Sequence, residues 1–387
     1  VSLDQSDTGR HIDFFTGSPT TQAKVRIGID GRYMGSPVSG IPRYINELCK
    51  QLDILLPNAV FLIYAQRADG ISLPSPRWEI RAETSKQFTR IKPNIWWKLR
   101  AGRLIRSDRL DVLWAGGGLL PGRAGSVPIV MTVHDLTFRL FPDTVPRFTL
   151  WAFRLFFRRD LLRANRTIAN SEGTRNKLSE FYGRAADVVV RPAAAAHFRP
   201  ASVDEQAAVR AQYALSLPFL LAVSTLEPRK NFTSLIEAFL LLKRGGKFPD
   251  HELVIIGKKG WKNGPLARML ASSEGRRIRS LGFVPDAHLP ALYSACAVFC
   301  MPSLYEGFGI PVLEARRCGA RVVTTDIPEL REAGDEHCIY VSPDAASIAE
   351  GIRQALTTHL PARQQPATGS SWHAEALQML PLLSNEI

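Results

Sequence analysis

With 387 residues, 45% of them hydrophobic and 22% charged, the chain has the composition of a soluble globular protein and is too long for one core, so two domains are expected. No run of about 18 consecutive apolar residues occurs, which argues against a membrane-spanning helix. The net charge of +13 is uneven: residues 1–190 hold 28 Lys and Arg against 17 Asp and Glu, residues 191–387 hold 21 against 19, and the positive field of the first half suits an anionic membrane, a phosphorylated acceptor or a nucleic acid.

The polar, Gly/Ser/Thr-rich stretch 1–24 lacks the apolar segment of a signal peptide and is expected to be a disordered tail, which points to a cytoplasmic protein. Val25–Asp30 reads as a short apolar strand. A loop with Gly31, Gly35 and Gly40 follows, then a helical pattern from near Pro42 through Ile45, Leu48 and Leu52. Strand, glycine loop and helix open a βαβ unit. Apolar strands recur at 60–64, 112–114, 128–133 and 166–169 with helical patterns between several of them, so a parallel sheet is predicted. The Pro- and Ala-rich passage Val188–Pro200 reads as the link between domains. A second series of strands runs through 219–223, 252–256, 278–281, 298–301, 321–324 and 338–341. The pattern predicts an α/β protein of two doubly wound parallel-sheet domains, at 25–192 and 193–365. Residues 361–369 read as a loop, and Trp372–Leu383, within 366–387, as a final helix. The five cysteines are scattered and no further pair gives metal-ligand spacing around Cys296 and Cys300, so buried free thiols are expected.

The chemistry concentrates in Ser303-Leu-Tyr-Glu-Gly-Phe-Gly-Ile-Pro-Val-Leu-Glu-Ala315, directly after a predicted strand. Gly307 and Gly309 allow the backbone to approach a ligand closely. Pro311 fits the first turn of a helix, and the N–H groups of that turn suit a diphosphate. Glu306 stands before the helix and Glu314 in its first turn, so one carboxylate can reach a sugar and the other ribose hydroxyls. The plainer readings are a solvated loop charge for Glu306 and a helix-dipole carboxylate for Glu314. Arg229 and Lys230, in Ser224-Thr-Leu-Glu-Pro-Arg-Lys-Asn231, lie outside the carboxyl end of a strand, where doubly wound sheets bind ligands. Two cations there would neutralise charge growing on a leaving nucleoside diphosphate. Val133-His-Asp-Leu-Thr137 places His134 just past another strand, with Asp135 as a partner that would fix its ring.

These stretches resemble the retaining GT-B glycosyltransferases of family four, whose signature carries two glutamates with seven residues between them. The resemblance runs from Ile27 to about Leu383. It implies two facing Rossmann-like domains, a C-terminal helix returning to the first, and a nucleotide sugar in the cleft between them. It further implies that Glu306 contacts the donor sugar, that Phe308, Gly309 and Ile310 present backbone to its hydroxyls or the diphosphate, and that Glu314 binds ribose. In Gly282-Phe-Val-Pro-Asp-Ala-His-Leu-Pro-Ala-Leu-Tyr293, Phe283 and Val284 would meet the base. His134 would reach the sugar from the first domain, and Gly40, in Val38-Ser-Gly-Ile-Pro-Arg43, would lie near the phosphates or the acceptor. Ser224-Thr225 stands where the family has Gly-Arg, so Lys230 carries over cleanly and Arg229 is the candidate for the missing arginine. The family's chemistry retains configuration, passes an oxocarbenium-like transition state and needs no metal or cofactor beyond the co-substrate; the lack of an Asp-x-Asp motif fits this. Ile29-Asp-Gly-Arg32 and Glu227-Pro-Arg-Lys-Asn231 resemble bacterial mannosyltransferases of surface polysaccharides, which points to GDP-mannose and an α-linkage, with UDP-sugar and rhamnosyl donors left open.

Arg147–Arg163 interleaves basic and aromatic residues, and at helical spacing Arg147, Arg154 and Arg158 share a stripe beside Trp151. Trp96-Trp97-Lys-Leu-Arg100 has similar character. Both suit an interfacial membrane contact, against the plainer reading of core helices with an arginine-lined face. A peripheral enzyme on the inner face of the cytoplasmic membrane, acting on a lipid-linked or lipopolysaccharide acceptor, is therefore expected. A sugar-nucleotide epimerase or phosphorylase on the same fold and a basic nucleic-acid-binding protein are the rivals; no nucleic-acid motif accompanies the charge.

Overall fold

The computed structural model describes residues 24–35, 40–246, 248, 250–262, 264–271, 277–358 and 371–383. The tail expected at 1–24, save Lys24, and the loop expected at 361–369 lie outside them. The first sheet has seven strands: β1 (Arg26–Asp30), β2 (Val60–Ala65), β3 (Trp78–Ala82), β4 (Val112–Ala115), β5 (Ile129–Val133), β6 (Arg166–Ala169) and β7 (Val188–Val189), in the order β3-β2-β1-β4-β5-β6-β7. The second has six: β8 (Phe219–Val223), β9 (Glu252–Ile256), β10 (Ile278–Gly282), β11 (Val298–Met301), β12 (Val322–Thr325) and β13 (Cys338–Val341), in the order β10-β9-β8-β11-β12-β13. Every pairing in both sheets is parallel.

Parallel sheets are covered on both faces, so their strands are nearly continuous apolar runs. Phe61-Leu-Ile-Tyr-Ala65 and Phe219-Leu-Leu-Ala222 are such runs, and all of these residues are buried. Alternate residues feed the two faces: Phe61 and Ile63 join one cluster of the first domain, Leu62 and Tyr64 the other. The helix Trp372–Leu383 leaves the second domain and packs on Gly40–Leu55 of the first; Trp372, Ala376, Met379, Leu382 and Leu383 complete that domain's core. The Trp372 ring meets Tyr44 edge-on at 6.0 Å, and the buried Glu375 accepts the Arg191 N–H at 2.6 Å. This is a GT-B architecture.

β3 and β7 were not legible as strands. β3 is an edge strand whose Glu79 faces water, and β7 is two residues inside the passage between domains. The interfacial expectation for Trp96 and Trp97 is corrected: both are wholly buried. Their indole N–H groups donate to Glu83 at 3.0 Å and to the Leu119 carbonyl at 2.7 Å, while Lys98 pairs with Asp160 and Arg100 with Glu83. The helix Arg147–Arg163 does present a mixed face: Trp151 is 57% exposed, Leu155 54%, and Arg147, Arg154 and Arg158 are exposed beside them. Among the described residues no helix is long and apolar enough to cross a membrane. All five cysteines are free, four of them buried.

Candidate active site

The strand order of each sheet reverses once, between β1 and β4 and between β8 and β11. At such a point successive crossovers leave in opposite directions and open a crevice beyond the carboxyl ends of the strands. The loops after β8 and β11 are Ser224–Asn231 and Pro302–Gly309, so the second crevice is walled by the two stretches that carry Arg229, Lys230 and Glu306. The walls are stitched together by the Leu304 N–H, which donates to the Arg229 carbonyl at 2.8 Å.

Pro228–Lys230 form a single 3-10 turn closed by Asn231 in the left-handed conformation, φ 58°. Asparagine tolerates that geometry, and its amide is tied to the Pro343 carbonyl at 2.7 Å. The turn aims two cations at one carboxylate. Arg229 donates to Glu306 Oε2 at 2.8 Å, to the Tyr305 carbonyl at 2.5 Å and to Glu227 at 2.7 Å; Lys230 Nζ donates to Glu306 Oε1 at 2.6 Å. All of these side chains are buried or nearly so. Burial alone would raise the Glu306 carboxyl, but Arg229 and Lys230 outweigh it and hold it down to about 2. Burial and the neighbouring Arg229 lower the Lys230 ammonium. Arg229, between Glu306 and Glu227, is raised despite its burial.

Past Glu306 the chain lies against the first domain. A Cβ on Gly307 would sit 2.0 Å from the His134 carbonyl oxygen, so only glycine fits there. Gly309 has φ 111° and leads into the helix Ile310–Arg317, with Pro311 second and Ile310 first. Phe308 is buried. Glu314 is the fifth residue of this helix, in its second turn rather than its first, and is buried; it faces the cleft between the domains. One of its oxygens pairs with Arg43 of the first domain, and the other accepts from the Tyr293 hydroxyl at 3.3 Å. Burial, opposed by Arg43 and reinforced by Asp286, raises this carboxyl to about 7.

From the first domain, His134 Nε2 donates to the Gly116 carbonyl at 2.7 Å, its ring edge-on to Tyr44 at 5.1 Å. Burial lowers its basicity, so the ring is neutral near pH 7. Asp135 does not hold that ring through a hydrogen bond: it accepts the Thr137 N–H at 2.8 Å and caps its own turn. Gly40 is the exposed first residue of its helix, with nothing within 4 Å of a built Cβ, and Val38 and Ser39 lie outside the described residues. Phe283 is 60% exposed beneath Lys258, whose Nζ lies 4.7 Å from the ring centre; Val284 is buried.

Residues 38–194 match the Glycosyltransferase Family 4 domain and residues 206–369 match Glycosyl transferases group 1. Between them the two matches cover most of the chain, which is a family-four-like GT-B glycosyltransferase. An O-antigen chain mannosyltransferase B of Escherichia coli is 29% identical over 83% of this chain and 87% of its own length. A GDP-mannose-dependent α-(1-6)-phosphatidylinositol monomannoside mannosyltransferase of Mycolicibacterium smegmatis is 27% identical over 70% of this chain and 74% of its own. In fold, the glycosyltransferase is similar to sucrose-phosphate synthase of Thermosynechococcus elongatus, with a TM-score of 0.72 at 18% identity, over 93% of this chain and 98% of that one.

In this glycosyltransferase the structure gathers Glu306, Arg229 and Lys230 in direct contact, with Phe308, Gly309 and Ile310 adjoining, and sets His134 against Gly307. Glu314 stands eight residues along with separate partners. Sequence reasoning missed Glu227, Arg43, Asp286 and Tyr293. All four lie inside stretches quoted for other residues, and what singles them out is the pairing, which only the fold creates.

Proposed function

We propose that the glycosyltransferase retains configuration and moves mannose from GDP-mannose, in α-linkage, to a lipid-linked or polysaccharide acceptor at the inner face of the cytoplasmic membrane. The observation that carries this reading is Glu306, ionised between Arg229 and Lys230 at the β8–β11 crevice with Gly307 against His134. In this reading Glu306 accepts hydroxyls of the donor sugar and fixes its orientation. The bond from C1 to the diphosphate oxygen breaks as the acceptor oxygen bonds to C1 from the same face. The acceptor proton passes to the departing diphosphate, and Arg229 and Lys230 take up the developing charge where a metal would otherwise be required. Mannose rests on the similarity to the two mannosyltransferases above, and GDP on the one of them that is GDP-mannose-dependent. The membrane surface rests on the exposed Trp151, Leu155 and arginines of Arg147–Arg163.

Thermal stabilisation by a panel of nucleotide sugars tests the donor, because a ligand that binds only the folded state raises its melting point. GDP-mannose should give the largest shift, and the anomeric NMR signal of the product should show retention. A larger shift with a UDP-sugar would move the assignment to that donor, and no shift with any would remove the reading. Trp151→Ala with Leu155→Ala should weaken co-sedimentation with anionic phosphatidylglycerol vesicles and leave transfer to a soluble acceptor analogue unchanged; equal sedimentation would refute the membrane contact.

A further inference from the structure

Arg43 is the fourth residue of the helix Gly40–Leu55 in the first domain, yet both of its charged contacts lie in the second. One terminal nitrogen of its guanidinium pairs with Glu314, the other with Asp286, and the group lies over the Phe198 ring at 5.5 Å. The side chain is 10% exposed. Glu314 uses its second oxygen for the Tyr293 hydroxyl, so both oxygens are engaged. A ribose diol brings two further hydroxyl donors to the same two oxygens, in competition with the partners already there. Of those partners one is fixed and one can withdraw. Tyr293 belongs to the same domain as Glu314 and is wholly buried between Phe198 and Phe299. Arg43 comes from the opposite domain and moves with it. Asp286, 35% exposed, offers the displaced guanidinium a resting partner.

We propose that Arg43 is a donor-displaced positioning residue: it pins the ribose carboxylate and holds the cleft shut without nucleotide, and it surrenders Glu314 to the ribose hydroxyls when a nucleoside diphosphate enters. The proposal rests on the reading of Glu314 as the ribose acceptor. A closed state that must be broken before binding lowers apparent affinity by the fraction of molecules competent to bind. Removing the latch should therefore tighten nucleotide binding.

The test is calorimetric titration of GDP and UDP at about pH 9, so that losing Arg43 does not leave Glu314 protonated, into wild type, Arg43→Ala, Arg43→Lys, Glu314→Gln and the Arg43→Ala/Glu314→Gln pair, with small-angle scattering of each protein before nucleotide is added. Arg43→Ala should have a larger radius of gyration than wild type and bind the preferred nucleotide about fivefold more tightly or better. Arg43→Lys, which keeps the charge but not the fork, should fall between. In the Glu314→Gln background the Arg43→Ala gain should vanish. Weaker binding to Arg43→Ala would make Arg43 a ligand of the donor and overturn the latch, as would unchanged affinity and size. If Glu314→Gln weakens binding while Arg43→Ala changes nothing, only the latch fails. If Glu314→Gln leaves affinity unchanged in both backgrounds, the ribose assignment itself fails.

Discussion

Glu306 and Glu314 bound one short stretch of chain and are almost equally buried, yet their surroundings drive them in opposite directions. At the end proposed above to meet the donor sugar, the sugar end, two cations of the same domain hold Glu306 down to about 2. At the end proposed above to meet the ribose, the ribose end, a single arginine from the other domain is shared between Glu314 and Asp286, and Glu314 rises to about 7. Since burial is common to both, the number and origin of the neighbouring charges decide the difference. The sugar end is a finished electrostatic device within one domain. The ribose end has a partner of its own domain in Tyr293, but its one cation crosses the cleft.

The largest effect expected from this contrast follows removal of the charge at the sugar end. Glu306→Gln should lower kcat by about a thousandfold, the upper range for losing one preorganised electrostatic group. Glu306→Ala should also be destabilised, because it removes the carboxylate partner of the buried Lys230, while Arg229 keeps Glu227 and the Tyr305 carbonyl; a broken buried pair costs about 3–5 kcal/mol. Initial rates and urea midpoints of the two variants check both statements; a Glu306→Gln enzyme within tenfold of wild type would erase the distinction between the two ends. Next in size, Lys230→Ala should reduce kcat by roughly a hundredfold, since one of two charge acceptors remains. A change confined to KM would show instead that the lysine only binds.

At the ribose end the expected effect is a pH dependence. On the proposed ribose role, only the ionised carboxylate would accept both hydroxyls, so nucleotide affinity should rise with pH through about 7 and fall about tenfold per unit below it, a profile that Glu314→Gln flattens. The stability signs are opposite for the two carboxylates. Glu306 is held below its ordinary 4.5, so its contribution is complete above that value and is lost as pH falls toward about 2. Glu314 is raised, so its contribution is complete below 4.5 and is lost as pH rises through about 7. Melting temperatures of wild type and Glu314→Gln should therefore converge in acid and diverge above neutrality, with wild type the lower. Parallel melting curves would mean that Glu314 does not titrate in this range.

How much of this was legible follows from where each interaction is encoded. The apolar runs of β2, β5, β8 and β9 declare strands because both faces of a parallel sheet are buried. β3 stayed hidden because Glu79 and Arg81 break its apolar run at a sheet edge. The cluster of Glu306, Arg229 and Lys230 was legible as residues, since its parts sit in two stretches that each follow a strand. Trp96 and Trp97 were misjudged because their partners, Glu83 and Leu119, are set by tertiary packing and not by helical spacing. Arg43 lies 271 residues from Glu314, and nothing local to either announces the pair.

The smallest effect tests whether the ribose end is tuned from within its own domain as well as across the cleft. Tyr293 donates to Glu314 at 3.3 Å, a long bond to a charged acceptor. Tyr293→Phe keeps the buried ring against Phe198 and Phe299, so the fold should be unchanged to within about 1 kcal/mol. Losing a donor to the ionised form should push the Glu314 carboxyl higher still. The midpoint of the nucleotide-affinity profile should then move to higher pH, and affinity at neutral pH should fall by roughly fivefold, the equivalent of about 1 kcal/mol. A midpoint that stays put would assign the tuning of Glu314 to its burial, to Arg43 across the cleft and to Asp286 within its own domain, with no part for the Tyr293 hydroxyl.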